Sequence, residues 1–287
     1  MKNEIKKIII EEFSKLITNI EDDFKKNYKK KNHNFLLSEL DDEMTANMVF
    51  VSSFESKSGN AIQECARRIA ILKYGKKNVP RIINPHNLDI NNINIDEENL
   101  REQLLVTDVD LDNDKLQSGI QGFMTLNQAK GRGKNRTKCN VTQNTIKELL
   151  DLSKYKDGKI HLKPVDLAFF DGNDWNIIEI KAGGDLDSSN APGNAKKMLT
   201  IYVGLNCKNS KLYFATIYHK DGEGNNWSGS IKKYLSYPDM FLIGSQFWNK
   251  ILPDGINFKE FTKIYGEAIK EINLNSRLRL MIQDCIK

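Results

Sequence analysis

Asp166, Glu179 and Lys181 have the residue types and spacing for phosphodiester chemistry. Residues 162–170 (LKPVDLAFF) suit a strand. Asp171-Gly172-Asn173-Asp174 is strong turn chemistry, and residues 175–181 (WNIIEIK) suit the returning strand of a hairpin. Side chains alternate along a strand, so Glu179 and Lys181 point one way while Ile178 and Ile180 point the other. Asp166 is out of phase with Val165, Leu167 and Phe169. If those apolar sets share a core face, Asp166, Glu179 and Lys181 share the opposite one, and a suitable register sets Asp166 beside Glu179. Two hard carboxylates and the backbone carbonyl of Ile180 make an oxygen site suited to Mg²⁺. A lysine beside an ion-activated water can position it or help remove its proton. The chemistry this serves is in-line hydrolysis of a phosphodiester.

The triplet alone is cheap. An acid-x-Lys pattern occurs at Glu4/Lys6, Asp23/Lys25, Glu55/Lys57, Asp157/Lys159 and Glu179/Lys181. Context separates the last of these. It ends a strongly apolar strand, an aspartate lies on the preceding strand across a clear turn, and a polar loop and a helix follow. Trp175 and Ile177 flank Glu179 on its own side, so its charge is expected to be partly buried and to need a partner or a metal.

Pro164-Val165-Asp166 followed by Glu179-Ile180-Lys181 resembles the PD-(D/E)xK nuclease motif. The longer run IEIKAGGDLDSSNAPGNAKKM, then LYFATIY, then LIGSQFWNKI, resembles type II restriction endonucleases of a TdeIII-like family. The resemblance covers residues 50–255, with its specific part at 164–219. It implies that Asp166 and Glu179 bind Mg²⁺, that Lys181 assists the attacking water, and that the substrate is double-stranded DNA cut at a short specific site. Val165 between Pro164 and Asp166 departs from the motif without disturbing its chemistry. Palindromic sites and two-strand cleavage favour a homodimer. A companion DNA methyltransferase acting on the same site would complete a restriction pair. A structure-specific repair or recombination nuclease of the same superfamily and a non-catalytic DNA-binding protein are the rival functions.

Many such enzymes also use a glutamate from a helix before the sheet, and SFESKSGNAIQECARRIA offers Glu64. Its position opposite the Ile62, Cys65, Ala66 and Ile69 face, with Arg68 four residues on, is equally that of an ordinary ion pair. In Gly183-Gly184-Asp185-Leu186-Asp187 the glycines permit close backbone approach to a ligand, and the aspartates are solvated or outer-sphere groups. Asn194, Lys196 and Lys197 lie near the start of the next helix and are candidate DNA-backbone contacts. GRGKNRTK supplies Arg132, Lys134, Arg136 and Lys138 on a loop made mobile by two glycines, a candidate DNA contact beside a nuclease core. The histidines at 33, 86, 161 and 219 make no ligand spacing.

The elements that must position these groups follow from periodicity. Ile5, Ile8, Ile9, Phe13, Leu16, Ile17, Ile20 and Phe24 mark an amphipathic helix over 4–24, ending in a solvated lysine cluster at 25–31. A second helix is expected over 58–74 with Ser58 as its cap, then a long irregular connection over 76–102. Strands are expected over 104–111 and 120–126, a helix over 142–152, a helix from Pro192 to Leu205, and a buried strand over 211–218. Helices over 259–272 and from Ser276 close the chain. The order implies an α/β fold, a mixed central sheet flanked by helices, with extra N- and C-terminal helices. The resemblance makes it a restriction-endonuclease-like core. A single domain over 1–287 is expected, with an N-terminal helical arm (1–50), a nuclease core (51–220) and a mainly helical part (221–287).

The bulk properties agree. The chain has 287 residues, 39% hydrophobic and 28% charged, enough apolar material for a core. A net charge of +5 permits a polyanionic partner without requiring one. Cys65, Cys139, Cys207 and Cys285 show no paired spacing, which excludes a CxxC zinc module and argues against a disulfide framework. No apolar run approaches the roughly 20 residues of a membrane span, and the N-terminus has neither signal-peptide nor anchor character. A reducing cytoplasm is the expected setting.

Overall fold

The computed structural model describes residues 1–35, 40–96, 100, 102–131 and 135–286, the side chains of 285 and 286 excepted. The described chain divides into two compact units, one of residues 1–69 with 252–287 and one of residues 70–251. The two units meet at 69/70 and at 251/252. Position 50 lies inside a continuous helix, and the C-terminal helices group with the N-terminal ones.

The first unit is helical. α1 (Lys2–Asn32) is longer than its apolar stripe required, and its lysines at 29–31 form the last turn. α2 (Asp42–Tyr74) begins well before Ser58. Ser58 is not a cap. It is buried mid-helix and its hydroxyl donates to the Glu55 carbonyl at 3.3 Å. α6 (Phe258–Glu271) starts with a capping box between Asn257 and Glu260. It buries Phe261, Ile264 and Ala268, with the Tyr265 ring edge-on to Phe13 of α1 at 5.4 Å. α7 (Leu274–Ile286) follows, and its Arg277 pairs with Glu21 of α1.

The second unit is the α/β layer structure, with two mixed sheets flanked by helices. β1 (Ile82–Ile83), β2 (Gln103–Thr107) and β3 (His161–Val165) form one sheet, parallel then antiparallel. β4 (Leu167–Phe170), β5 (Trp175–Lys181), β6 (Ser210–Thr216) and β7 (Phe241–Ile243) form the other. β4 and β5 are an antiparallel hairpin, while β5, β6 and β7 run parallel. α4 (Ala191–Leu205) is the right-sized crossover between β5 and β6. Its buried face includes Ala195, Met198, Leu199, Tyr202 and Leu205, as the period requires. α5 (Ser245–Ile251) follows β7.

Three local expectations change. Residues 120–126 are not a strand but part of α3 (Asp114–Asn127). The Asn113 side chain accepts from the Lys115 and Leu116 backbone N–H groups, and Leu116, Ile120, Phe123 and Met124 are the buried helical stripe. The helix expected over 142–152 is a 3₁₀ segment, Thr145–Lys154. The single strand expected over 162–170 is two strands in different sheets, broken at Asp166.

That break is held by Gln103. Its backbone is in register with Val165 on one side of Asp166. Its side-chain amide reaches Ala168 on the other side, accepting from the Ala168 N–H at 2.8 Å and donating to the Ala168 carbonyl at 2.8 Å. The same nitrogen donates to the Pro80 carbonyl at 2.6 Å. Gln103 is 1% exposed. A side chain thus substitutes for the neighbouring strand that β4 lacks on that edge. Replacing Gln103 with Ala leaves enclosed backbone groups unpaired. The expected loss is about 3 kcal/mol, read as a lower urea midpoint with an unchanged denaturant slope.

Candidate metal and catalytic site

β5 is the inner strand between β4 and β6, so any charge it carries is enclosed. Leu167 is in register with Ile178. One step further, the same antiparallel register sets Asp166 opposite Glu179. Ala168, Ile177 and Leu212 align across the sheet on the face that α4 covers. By alternation Asp166, Glu179 and Lys181 belong to that face.

Glu179 is 3% exposed. Lys181 donates to its Oε1 at 2.8 Å. Lys197, from the second turn of α4, donates to Oε2 at 2.9 Å and to Oε1 at 3.2 Å. Asp166 is half-buried. Its Oδ2 accepts the Ile180 N–H at 2.7 Å, and Oδ1 accepts no hydrogen bond among the described residues. The N–H and C=O of one strand residue point to the same side, so the Ile180 carbonyl also faces Asp166. The Lys181 carbonyl, on the other side, accepts from Ile217 at 3.3 Å.

Burial first, and the Glu179 charge second, push the Asp166 carboxyl up to about 6. Lys197, the Ile180 N–H and Lys181 oppose that rise. Burial works to lower the Lys197 ammonium, but Glu179 and then Asp166 outweigh it and its pKa rises. Two carboxylates therefore share one enclosed space with two ammonium groups. The donor set suits a hard divalent ion: an open Asp166 oxygen, the Glu179 carboxylate and the Ile180 carbonyl.

Glu64 belongs to the first unit. Arg67 grips it at two points, Nε to Oε2 at 3.0 Å and Nη2 to Oε1 at 2.8 Å. The expected partner Arg68 instead bridges Glu11 and Glu12 of α1, at 2.6 and 2.7 Å. Asn194 donates to the Asn190 carbonyl at 3.0 Å. Lys196 and Lys197 line a cavity of about 290 Å³ with Lys163, Pro164, Gly193 and Thr200. Arg136 and Lys138 are exposed, and their loop is tied at its base by mutual hydrogen bonds of Lys130 and Thr137. Arg132 and Lys134 lie outside the described residues.

The Gly183–Asp187 loop serves the fold. A Cβ on Gly184 would lie 2.4 Å from that of Lys220, so this glycine admits the protein's own chain and not a ligand. Asp185 holds Lys220 at 2.7 Å and accepts the Ser230 N–H at 3.1 Å. Asp187 holds the turn that leads into α4, accepting the Ser189 and Asn190 N–H groups at 3.0 and 2.8 Å.

Sequence spacing missed one cluster. Ligand atoms of Asp110, Asp157 and His161 lie within 4.8 Å of one another. Asp157 and His161 lie four residues apart, but Asp110 comes from a distant segment, which leaves no linear signal for the group of three. The group opens to solvent, and internal hydrogen bonds already account for it. His161 Nε2 lies 3.0 Å from Asp157, and Asp110 bonds Asp112 and Asn113 at 3.2 and 3.3 Å. Lys159 follows Asp157 at the same spacing, but only its backbone N–H bonds the aspartate, at 3.0 Å. The role of Lys197 at Glu179 was also hidden, because only the crossover helix brings it there.

No curated protein and no solved structure matches the chain significantly. The family model described as "Type II restriction endonuclease, HinfI" matches residues 1–268, where the resemblance at residues 164–219 pointed to TdeIII-like enzymes. A match over that length shows that the chain belongs to the HinfI type II restriction endonuclease family.

Proposed function

We propose that this chain is a Mg²⁺-dependent, site-specific endonuclease of PD-(D/E)xK type that hydrolyses phosphodiester bonds in double-stranded DNA. The supporting observation is the enclosed convergence of Asp166, Glu179 and Lys181, with the Ile180 carbonyl on the Asp166 side. Asp166, Glu179 and Ile180 would hold the ion. When bound, a divalent ion supplies charge opposite the negative charge developing on the phosphoryl oxygens and acidifies a water. Lys181 extends from the last residue of β5. Its ammonium orients that water for in-line attack and favours the deprotonated form.

The substrate strand reaches this point along the cavity between β3 and α4. Lys163 and Lys196 there supply phosphate contacts that set position without reading sequence. Arg136 and Lys138 extend the basic surface, Arg132 and Lys134 are further candidate DNA contacts by sequence, and Asn194 adds a polar contact. Glu64 is a further candidate catalytic group. A two-fold DNA site and cleavage of both strands call for a homodimer, a nuclease core spanning 51–220 of one domain, and a companion methyltransferase that protects host DNA. No helix among the described residues is long and apolar enough to cross a membrane, and the cytoplasm is the proposed location.

A plasmid of known sequence digested with Mg²⁺ should give discrete bands, and EDTA should abolish them. Cutting confined to branched or single-stranded DNA would overturn site specificity. Asp166→Ala, Glu179→Ala and Lys181→Ala should each lower the cleavage rate on the order of 10³-fold with the circular-dichroism spectrum retained. An active Glu179→Ala enzyme would reject the assignment. Ion binding requires the Asp166 carboxylate, whose pKa is raised to about 6. Affinity for Mn²⁺, followed by calorimetry, should therefore be level above neutral pH and fall as pH drops through that value, where a proton competes.

A further inference from the structure

Lys197 and Lys181 make different claims on the same carboxylate. Lys181 touches Oε1 alone, at 2.8 Å. Lys197 spans both oxygens, at 2.9 and 3.2 Å. A divalent ion held by Glu179 needs at least one of these oxygens, and a cation of double charge repels an ammonium group a few ångströms away. One lysine must yield. Lys181 is anchored in the sheet, in register with Thr216. The Lys197 side chain is 48% exposed on a helix face and carries a flexible stem.

That stem already lines the cavity of about 290 Å³ between β3 and α4, beside Lys163, Pro164, Gly193, Lys196 and Thr200. Gly193 keeps the wall open, since nothing lies within 4 Å of the position its Cβ would take. An ammonium group moving into this cavity joins Lys163 and Lys196. Lys163 makes only a loose pair with Asp112 at 3.4 Å. Lys196 has no ion pair among the described residues. Like charges collected in one cavity repel unless an anion arrives.

Resting on the nuclease reading, we propose that Lys197 is a resident counter-cation of the metal site. It occupies Glu179 until a divalent ion displaces it, and it then turns into the cavity to complete a binding place for a DNA phosphate. Lys197 is therefore a positioning residue. It keeps the enclosed carboxylate neutralised before the ion binds, and it couples ion binding to substrate capture. Neutralising the side chain at constant length removes the competitor.

The test is calorimetric titration of the full chain with Mn²⁺ in the absence of DNA, for wild type, Lys197→Met, Lys197→Gln and Lys197→Arg. The two neutral variants should bind Mn²⁺ more tightly, on the order of tenfold, the scale on which one nearby charge alters occupancy of a carboxylate site. Lys197→Arg should stay close to wild type. With Mn²⁺ saturating, the neutral variants should bind duplex DNA more weakly in fluorescence anisotropy. Equal or weaker Mn²⁺ binding by folded neutral variants overturns the proposal. A simple DNA contact would weaken duplex binding and leave Mn²⁺ affinity unchanged, and a purely structural ion pair would lower the unfolding midpoint and nothing else; either result also overturns it. A wild-type chain that neither binds Mn²⁺ nor cleaves DNA sinks the nuclease reading itself, whereas a wild type that does both isolates the failure to Lys197.

Discussion

A carboxylate on an inner strand dominates the second unit. Glu179 has β4 on one side, β6 on the other and α4 over its face, which leaves it 3% exposed. An ionised group in such a place needs compensation close by. Lys181 and Lys197 provide it, and the helix must sit where Lys197 can reach. The turn that enters α4 is held by Asp187, and the buried face of α4 packs into the same core cluster as Ile177, Leu212 and Phe214. The charge of Glu179 also raises the proton affinity of Asp166. The electrostatics of the site therefore follow from which strand carries the acid.

Asp166 owes its geometry to a break in the chain. Val165 pairs into one sheet and Leu167 into the other, so Asp166 spans the change with its backbone outside both ladders. Two contacts hold it there. The Ile180 N–H fixes one carboxylate oxygen, and Gln103 pins the chain on both sides. This arrangement leaves the other carboxylate oxygen without a hydrogen bond among the described residues while the neighbouring apolar residues stay packed. A continuous strand through 162–170 would have engaged the Asp166 backbone in a ladder.

The basic residues divide by what they touch. Lys181 and Lys197 neutralise an enclosed acid, whereas Lys196, Arg136 and Lys138 have no comparable ion pair among the described residues. The second kind is free to add favourable contacts to phosphates at once, whereas moving the first kind uncovers a buried charge unless another cation takes its place. The Asp110, Asp157 and His161 group shows the opposite case. His161 bonds Asp157, and Asp110 is held by Asp112 and Asn113 near the surface, so proximity of ligand-type atoms there creates no demand for an ion.

Much of this was legible in the sequence because it follows from short-range rules. Apolar period marked α1 and α4, turn residues marked the β4–β5 hairpin, and alternation assigned Asp166, Glu179 and Lys181 to one face. Where competing local signals were close, the reading failed. Residues 120–126 looked extended until the Asn113 cap and the full helical stripe over Leu116–Met124 are considered together, and Ser58 looked like a cap because the residues just before it in α2 (SSFESK, 52–57) are mainly polar. Family membership extends over residues 1–268, far beyond the motif. The chain's own order thus determined which residue types could meet. Tertiary structure alone decided that strand 162–170 divides between two sheets, that Gln103 stitches the gap, that Arg68 reaches Glu11 and Glu12, and that Lys197 arrives at Glu179. Each of these depends on contacts between segments distant along the chain, for which neither periodicity nor turn chemistry carries a signal.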